Sequence, residues 1–79
     1  MASRFDSLDE IAIRLAKGDT QGFGALSTGE RLYVALAANS AEHLDGDGYT
    51  VVEAFARLGE DWSQELLSRW RHRGNPQKW

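Results

Sequence analysis

Asp45-Gly46-Asp47-Gly48 is the segment whose residue types come nearest to a known site chemistry. Carboxylates alternating with glycine can wrap a calcium ion: the glycine permits a sharp turn and the carboxylates supply hard oxygen ligands. The register fails. With Gly48 as the loop glycine, Asp45 and Asp47 fall at the third and fifth positions, but the first is His43 and the twelfth is Ala54, with Glu53 one residue early. The segment therefore reads as an interhelical turn that uses Asp and Gly for their backbone preferences. His43 and His72 are isolated from one another, and His72 lies between Arg71 and Arg73, whose charges oppose its protonation. Gly22-Phe23-Gly24 lacks the Lys-Ser/Thr that follows a phosphate-cradling loop. Glu60-Asp61 reads as helix-start chemistry. The expectation is a protein that is not an enzyme, with no metal and no cofactor.

A second cluster points to binding. Arg69-Trp70-Arg71-His72-Arg73 closes the last helical stretch, and the bases continue to Lys78 before a final Trp79. Cations in a last turn complement the helix dipole. That explanation does not reach Lys78 or Trp79, and Trp and Arg are the residues most enriched at interface hot spots. Arg69, Trp70, Arg71, Arg73, Lys78 and Trp79 are accordingly the expected partner-binding residues, although Trp62 and Trp70 share the spacing of Leu66 and also fit the core. Glu42, Asp45, Asp47, Glu60, Asp61 and Glu65 form an expected secondary acidic surface, suited to a basic partner. From Arg69 to Trp79 there are four bases and no acids, against five bases and twelve acids before them, so a net charge of −3 hides a polarised molecule.

These residues must be carried by helices. Ser7–Glu10, Ser27–Glu30 and Thr50–Glu53 each match the capping box, in which hydroxyl and carboxylate satisfy orphan backbone donors reciprocally. Leu8, Ile11, Ala12 and Leu15 follow the first at helical spacing, and Gly18 offers a left-handed stop. The Leu32–Ala38 run is apolar all round, which predicts a central helix packed on more than one side. Val51, Phe55 and Leu58 form a third stripe ended by Gly59. Trp62, Leu66 and Trp70 form a fourth, ended by Gly74-Asn75-Pro76. The prediction is an all-α, single-domain bundle of about four short helices over approximately 8–17, 29–43, 51–58 and 61–73, with a mobile tail over 74–79. Phe23, between two glycines, is expected to plug the core from a loop.

Composition sets the outer bounds. Seventy-nine residues with 42% apolar and 27% charged residues suit one globular domain near the size where a single core becomes marginal. Without cysteine there is neither a disulfide framework nor a Cys-ligated zinc site. The seven-residue run Leu32–Ala38 is far too short to span a bilayer, and the first residues lack the apolar stretch of a secretory signal. A cytoplasmic protein without membrane contact is expected.

In kind, the chain resembles small phage- or prophage-encoded inhibitors such as anti-CRISPR proteins: short, cysteine-free, mildly acidic and without catalytic constellations. The resemblance implies a small accessory protein acting by stoichiometric contact with a protein or ribonucleoprotein partner. Two alternatives come from other classes. The stretch around Gly59 has a likeness to a helix-turn-helix DNA-binding regulator, but Glu60, Asp61 and Glu65 stand where such readers face phosphate. A homo-oligomeric structural protein would use the apolar second helix as its contact.

Overall fold

A computed structural model of the chain describes residues 3–71. Four helices follow in order: α1 (Arg4–Ala16), α2 (Thr28–Ala37), α3 (Ala41–Gly46) and α4 (Val51–Trp70), with one 3-10 turn at Phe23–Ala25. There is no strand among the described residues, and the fold is an all-α bundle.

Three helices begin with a capping box. At α2 the Ser27 hydroxyl accepts from the Glu30 N–H at 3.3 Å, while Glu30 Oε1 accepts from the Ser27 N–H at 2.9 Å. Those bonds, the backbone one first, hold the Glu30 carboxyl below the usual carboxylate range. The cap is therefore at full strength above that range and is lost as pH falls through the lowered value. Thr50 and Glu53 repeat the arrangement at α4, with both bonds at 3.1 Å.

The first box is displaced from its expected place. Ser3 and Asp6 form it, at 3.0 and 3.3 Å, and α1 starts at Arg4 rather than near Leu8. Aspartate closes the box as glutamate does, and the extra turn brings Phe5 onto the core.

Three helices also share one ending. In the Schellman motif the second residue beyond the cap donates back to the carbonyl of the last regular turn. Asp19 donates to Arg14, Ser40 to Ala35 and Tyr49 to Leu44, each at 2.9 Å. The residue before each donor has positive φ: Gly18 (92°), Asn39 (57°) and Gly48 (83°). Asn39 is the instructive case. Its side chain tolerates the left-handed region that glycine usually fills, and Ser40 then caps α3 by accepting from the His43 N–H. The single helix expected over 29–43 is thus two, divided at Ala38–Ser40. Of the expected interhelical turn, Asp45 and Gly46 are instead the last residues of α3, and only Asp47 and Gly48 turn. The Asp47 carboxylate accepts from Arg31 Nε at 3.1 Å, and Arg31 Nη1 donates to the Leu26 carbonyl at 3.2 Å.

α2 is the central element, packed against α1, α3, α4 and the 3-10 turn. Tyr33, Val34, Ala37 and Ala38 face a core built with Leu8, Ala12 and Leu15 of α1 and Leu66 and Trp70 of α4. Leu32 and Ala35 face a second cluster with Leu44 and Ala54. Phe23 packs over the larger cluster, as its glycine neighbours suggested.

α4 is bent in the middle. Gly59 has φ 81° and ψ 174°, outside the helical region, so 51–58 and 60–70 are two rods on one path. The Ser63 hydroxyl reaches back across the bend to the Phe55 carbonyl at 3.4 Å. Only glycine occupies this part of backbone space readily. A Cβ at Gly59 would meet nothing within 4 Å, so its cost would be conformational and not steric. Gly59→Ala should therefore lower stability by about 1–3 kcal/mol in urea unfolding. Gly29→Ala, at ordinary φ with equally open space, should not lower it.

Candidate functional site

The arginine and tryptophan expected to grip a partner are turned inward by α1. Asp9 is 2% exposed, the only charged residue among the buried ones described. Its Oδ1 accepts from the Tyr33 hydroxyl at 2.8 Å and from Trp70 Nε1 at 2.9 Å. Its Oδ2 accepts from Arg69 Nη1 at 3.1 Å. Arg69 also reaches Asp6 at 2.8 Å, Glu65 at 2.7 Å and the Ser3 hydroxyl at 3.1 Å. Its guanidinium carbon lies 5.3 Å from the centre of the Phe5 ring, within cation–π range.

The electrostatics follow from that geometry. Hydrogen bonds to Asp6 and Glu65 raise the Arg69 pKa further above its already high value, so the cation persists at any working pH. Burial, then the hydrogen bond to Asp9 and its charge, push the Tyr33 phenol well above its ordinary value near 10. Phe5, Tyr33 and Trp62 pack edge-on or tilted around this hub, with ring centres 5.0–6.0 Å apart. None of the buried side-chain polar atoms described lacks a partner.

Two of the expected partner-binding residues, Arg69 and Trp70, are held within the chain. The guanidinium, the indole N–H and the ring are committed there, because a buried carboxylate needs donors and takes these two from the end of α4. Arg71 is exposed. Arg73, Lys78 and Trp79, like the tail expected over 74–79, lie outside the described residues. The acidic surface is thinner than its sequence suggested. Asp47 is bound to Arg31 and Glu65 to Arg69, whereas Glu42, Asp45, Glu60 and Asp61 are exposed.

Among the described residues Ser40 and His43 are the one hydroxyl–imidazole pair within bonding range, at 2.6 Å between Oγ and Nδ1. Ser40 Oγ is also the α3 cap, accepting from the His43 N–H at 3.4 Å, and Phe23 stacks edge-on against the ring at 5.0 Å. The Ser40 N–H donates to the Ala35 carbonyl, so the ring meets the cap's hydroxyl and not its backbone, and α3 has a side-chain cap without a capping box. Among the described residues no group of three or more acidic or histidine side chains could hold a metal ion.

Sequence reasoning did not single out an open groove of about 850 Å³ beside the hub, where the end of α2 meets both halves of α4. Leu36, Ala37, Phe55, Leu66, Leu67 and Trp70 supply its apolar surface, and Asn39, Gln64, Ser68 and Arg71 its polar rim. Leu67 is 59% exposed, a large apolar side chain without a cover. Val51 and Val52, 52% and 77% exposed, stand one turn before Phe55 on the same helix. The signal was present in the spacing: Leu67 and Arg71 are four apart, one step round from the inward pair Leu66 and Trp70.

No family model, no curated protein and no solved structure matches this chain.

The hub makes two predictions. Asp9→Ala removes the acceptor that the Tyr33 phenol and the Trp70 indole N–H share and one of the three carboxylates around Arg69, and should cost about 2–5 kcal/mol in chemical denaturation. That is a large share of the roughly 4–12 kcal/mol expected for a domain of this length. Tyr33 sets an alkaline limit. Its folded-state pKa is raised, so its contribution is complete below the ordinary tyrosine value near 10 and declines as pH rises above it. Wild-type stability should fall by up to about 1.4 kcal/mol per pH unit there, relative to Tyr33→Phe. Urea midpoints of both proteins across that interval give the comparison.

Proposed function

We propose that the chain is a non-catalytic binding domain that holds a protein, free or within a ribonucleoprotein, in a stoichiometric complex, with the α2–α4 groove and Arg71 as its contact face. The observation that carries this reading is Leu67: 59% exposed on a rigid helix, in an apolar groove that nothing in the described chain covers. An apolar centre with a polar margin is the anatomy of a protein interface. Asn39, Gln64, Ser68 and Arg71 are all exposed, so the rim suits an extended partner better than an enclosed small molecule, which needs polar groups converging from buried positions. Arg71 also opens the run of bases that continues in sequence at Arg73 and Lys78. No helix among the described residues is long and apolar enough to cross a membrane.

The experiment is affinity capture from the native host with the full chain and with Leu67→Glu, recovering nucleic acid from the same samples. Leu67 is exposed, so the variant should keep the wild-type melting temperature. A protein held near one-to-one by wild type and lost from Leu67→Glu is the expected result. Equal capture by both, or no protein partner, would remove the proposal. Duplex DNA retained by both proteins and released by salt would favour a DNA-binding regulator instead.

A further inference from the structure

The groove has a chemical preference that narrows the partner. Among its described lining residues there is one charge, the cation of Arg71, and no carboxylate, in a chain that carries twelve. The acids of α4 lie elsewhere: Glu53 is in its cap, Glu65 is turned toward Arg69, and Glu60 and Asp61 do not line the groove. An apolar channel ending in an exposed arginine suits a segment that presents apolar anchors next to negative charge.

The backbone of that segment is constrained as well. No strand is present among the described residues, so there is no sheet edge on which an extended peptide could add. The apolar walls are helical, with Leu36 and Ala37 from α2 and Phe55, Leu66, Leu67 and Trp70 from α4. Recognition then falls to side chains entering a cleft between helices, the manner in which amphipathic helices are bound.

Resting on the binding role argued above, we infer that the groove takes an amphipathic helical segment of another protein, one whose apolar stripe is flanked by Asp or Glu. Its anchors settle against Leu36, Phe55 and Leu67, and its carboxylate meets Arg71. Leu66 and Trp70 form a floor whose position the Asp9 hub holds, so the groove exists before the partner arrives.

The test is selection of a phage-displayed random peptide library, each peptide about four helical turns long, on the immobilised full chain. Enriched peptides should place apolar residues at i, i+3 or i+4 and i+7 with Asp or Glu beside them. The best of these, synthesised and labelled, should bind about tenfold or more weakly to Leu67→Glu and several-fold more weakly to Arg71→Glu. Added salt should erase most of the difference at Arg71. Circular dichroism of each variant establishes that it is folded.

No enrichment, peptides rich in Lys or Arg, peptides without helical periodicity, or affinity indifferent to Leu67→Glu would overturn the inference. So would a concentration-dependent dimer abolished by Leu67→Glu, which would give the groove to a second copy. Binding seen only in Trp79→Ala would give it to the chain's own final residue. Failure here alongside a host protein lost from Leu67→Glu would leave the binding role standing and refute only the partner class.

Discussion

A carboxylate buried at the junction of three helices has to be answered by donors, and Asp9 obtains them from two elements at once. Tyr33 comes from α2, and Arg69 and Trp70 come from the end of α4, 60 and 61 positions away in sequence. Apolar burial supplies more of the driving force, but it is indifferent to small rotations, whereas hydrogen bonds to one carboxylate are not. The hub therefore sets how the last helix is turned. With Arg69 and Trp70 directed at Asp9, Leu67 and Arg71 must face out, because they lie about 100° round the helix from Leu66 and Trp70. The apolar groove and the place of the Arg71 cation beside it are consequences of that rotation.

Gly59 supplies the other half of the geometry. A straight α4 would run its two amphipathic stripes along one line. The bend lets 51–58 pack Ala54 against Leu32 and Ala35, while 60–70 packs Leu66 and Trp70 against α1 and the opposite side of α2. Phe55 and Leu67 sit on either side of the break and both line the groove. A glycine with nothing near its missing Cβ thus acts through its backbone alone.

Charge is organised around the same two features. Acids distributed through the sequence are drawn into caps and pairs: Asp6, Glu30 and Glu53 at helix starts, Asp47 with Arg31, and Asp9 and Glu65 with Arg69. Many of these contacts are exposed and each stabilises little. Their combined effect is positional: among the described residues no carboxylate lines the groove of a molecule of negative net charge.

Local chemistry was legible from the residues because it depends on neighbours only a few positions apart. The boxes at Ser27 and Thr50, the stops at Gly18 and Gly48, the apolar run of α2 and the break at Gly59 all follow from spacing within one or two turns, and they amount to an all-helical bundle. Where one residue type stood in for another, legibility failed: Asp6 closed a box in place of glutamate, and Asn39 ended a helix in place of glycine. Asp9 gave no signal that set it apart, and Arg69 and Trp70 read as part of a basic edge, with Trp70 fitting the core as well. Nothing within a few residues of either could show that they meet. Contact between positions 9 and 69 is a property of how helices pack, and packing alone decided which arginine is structural, which leucine is uncovered and where the groove opens.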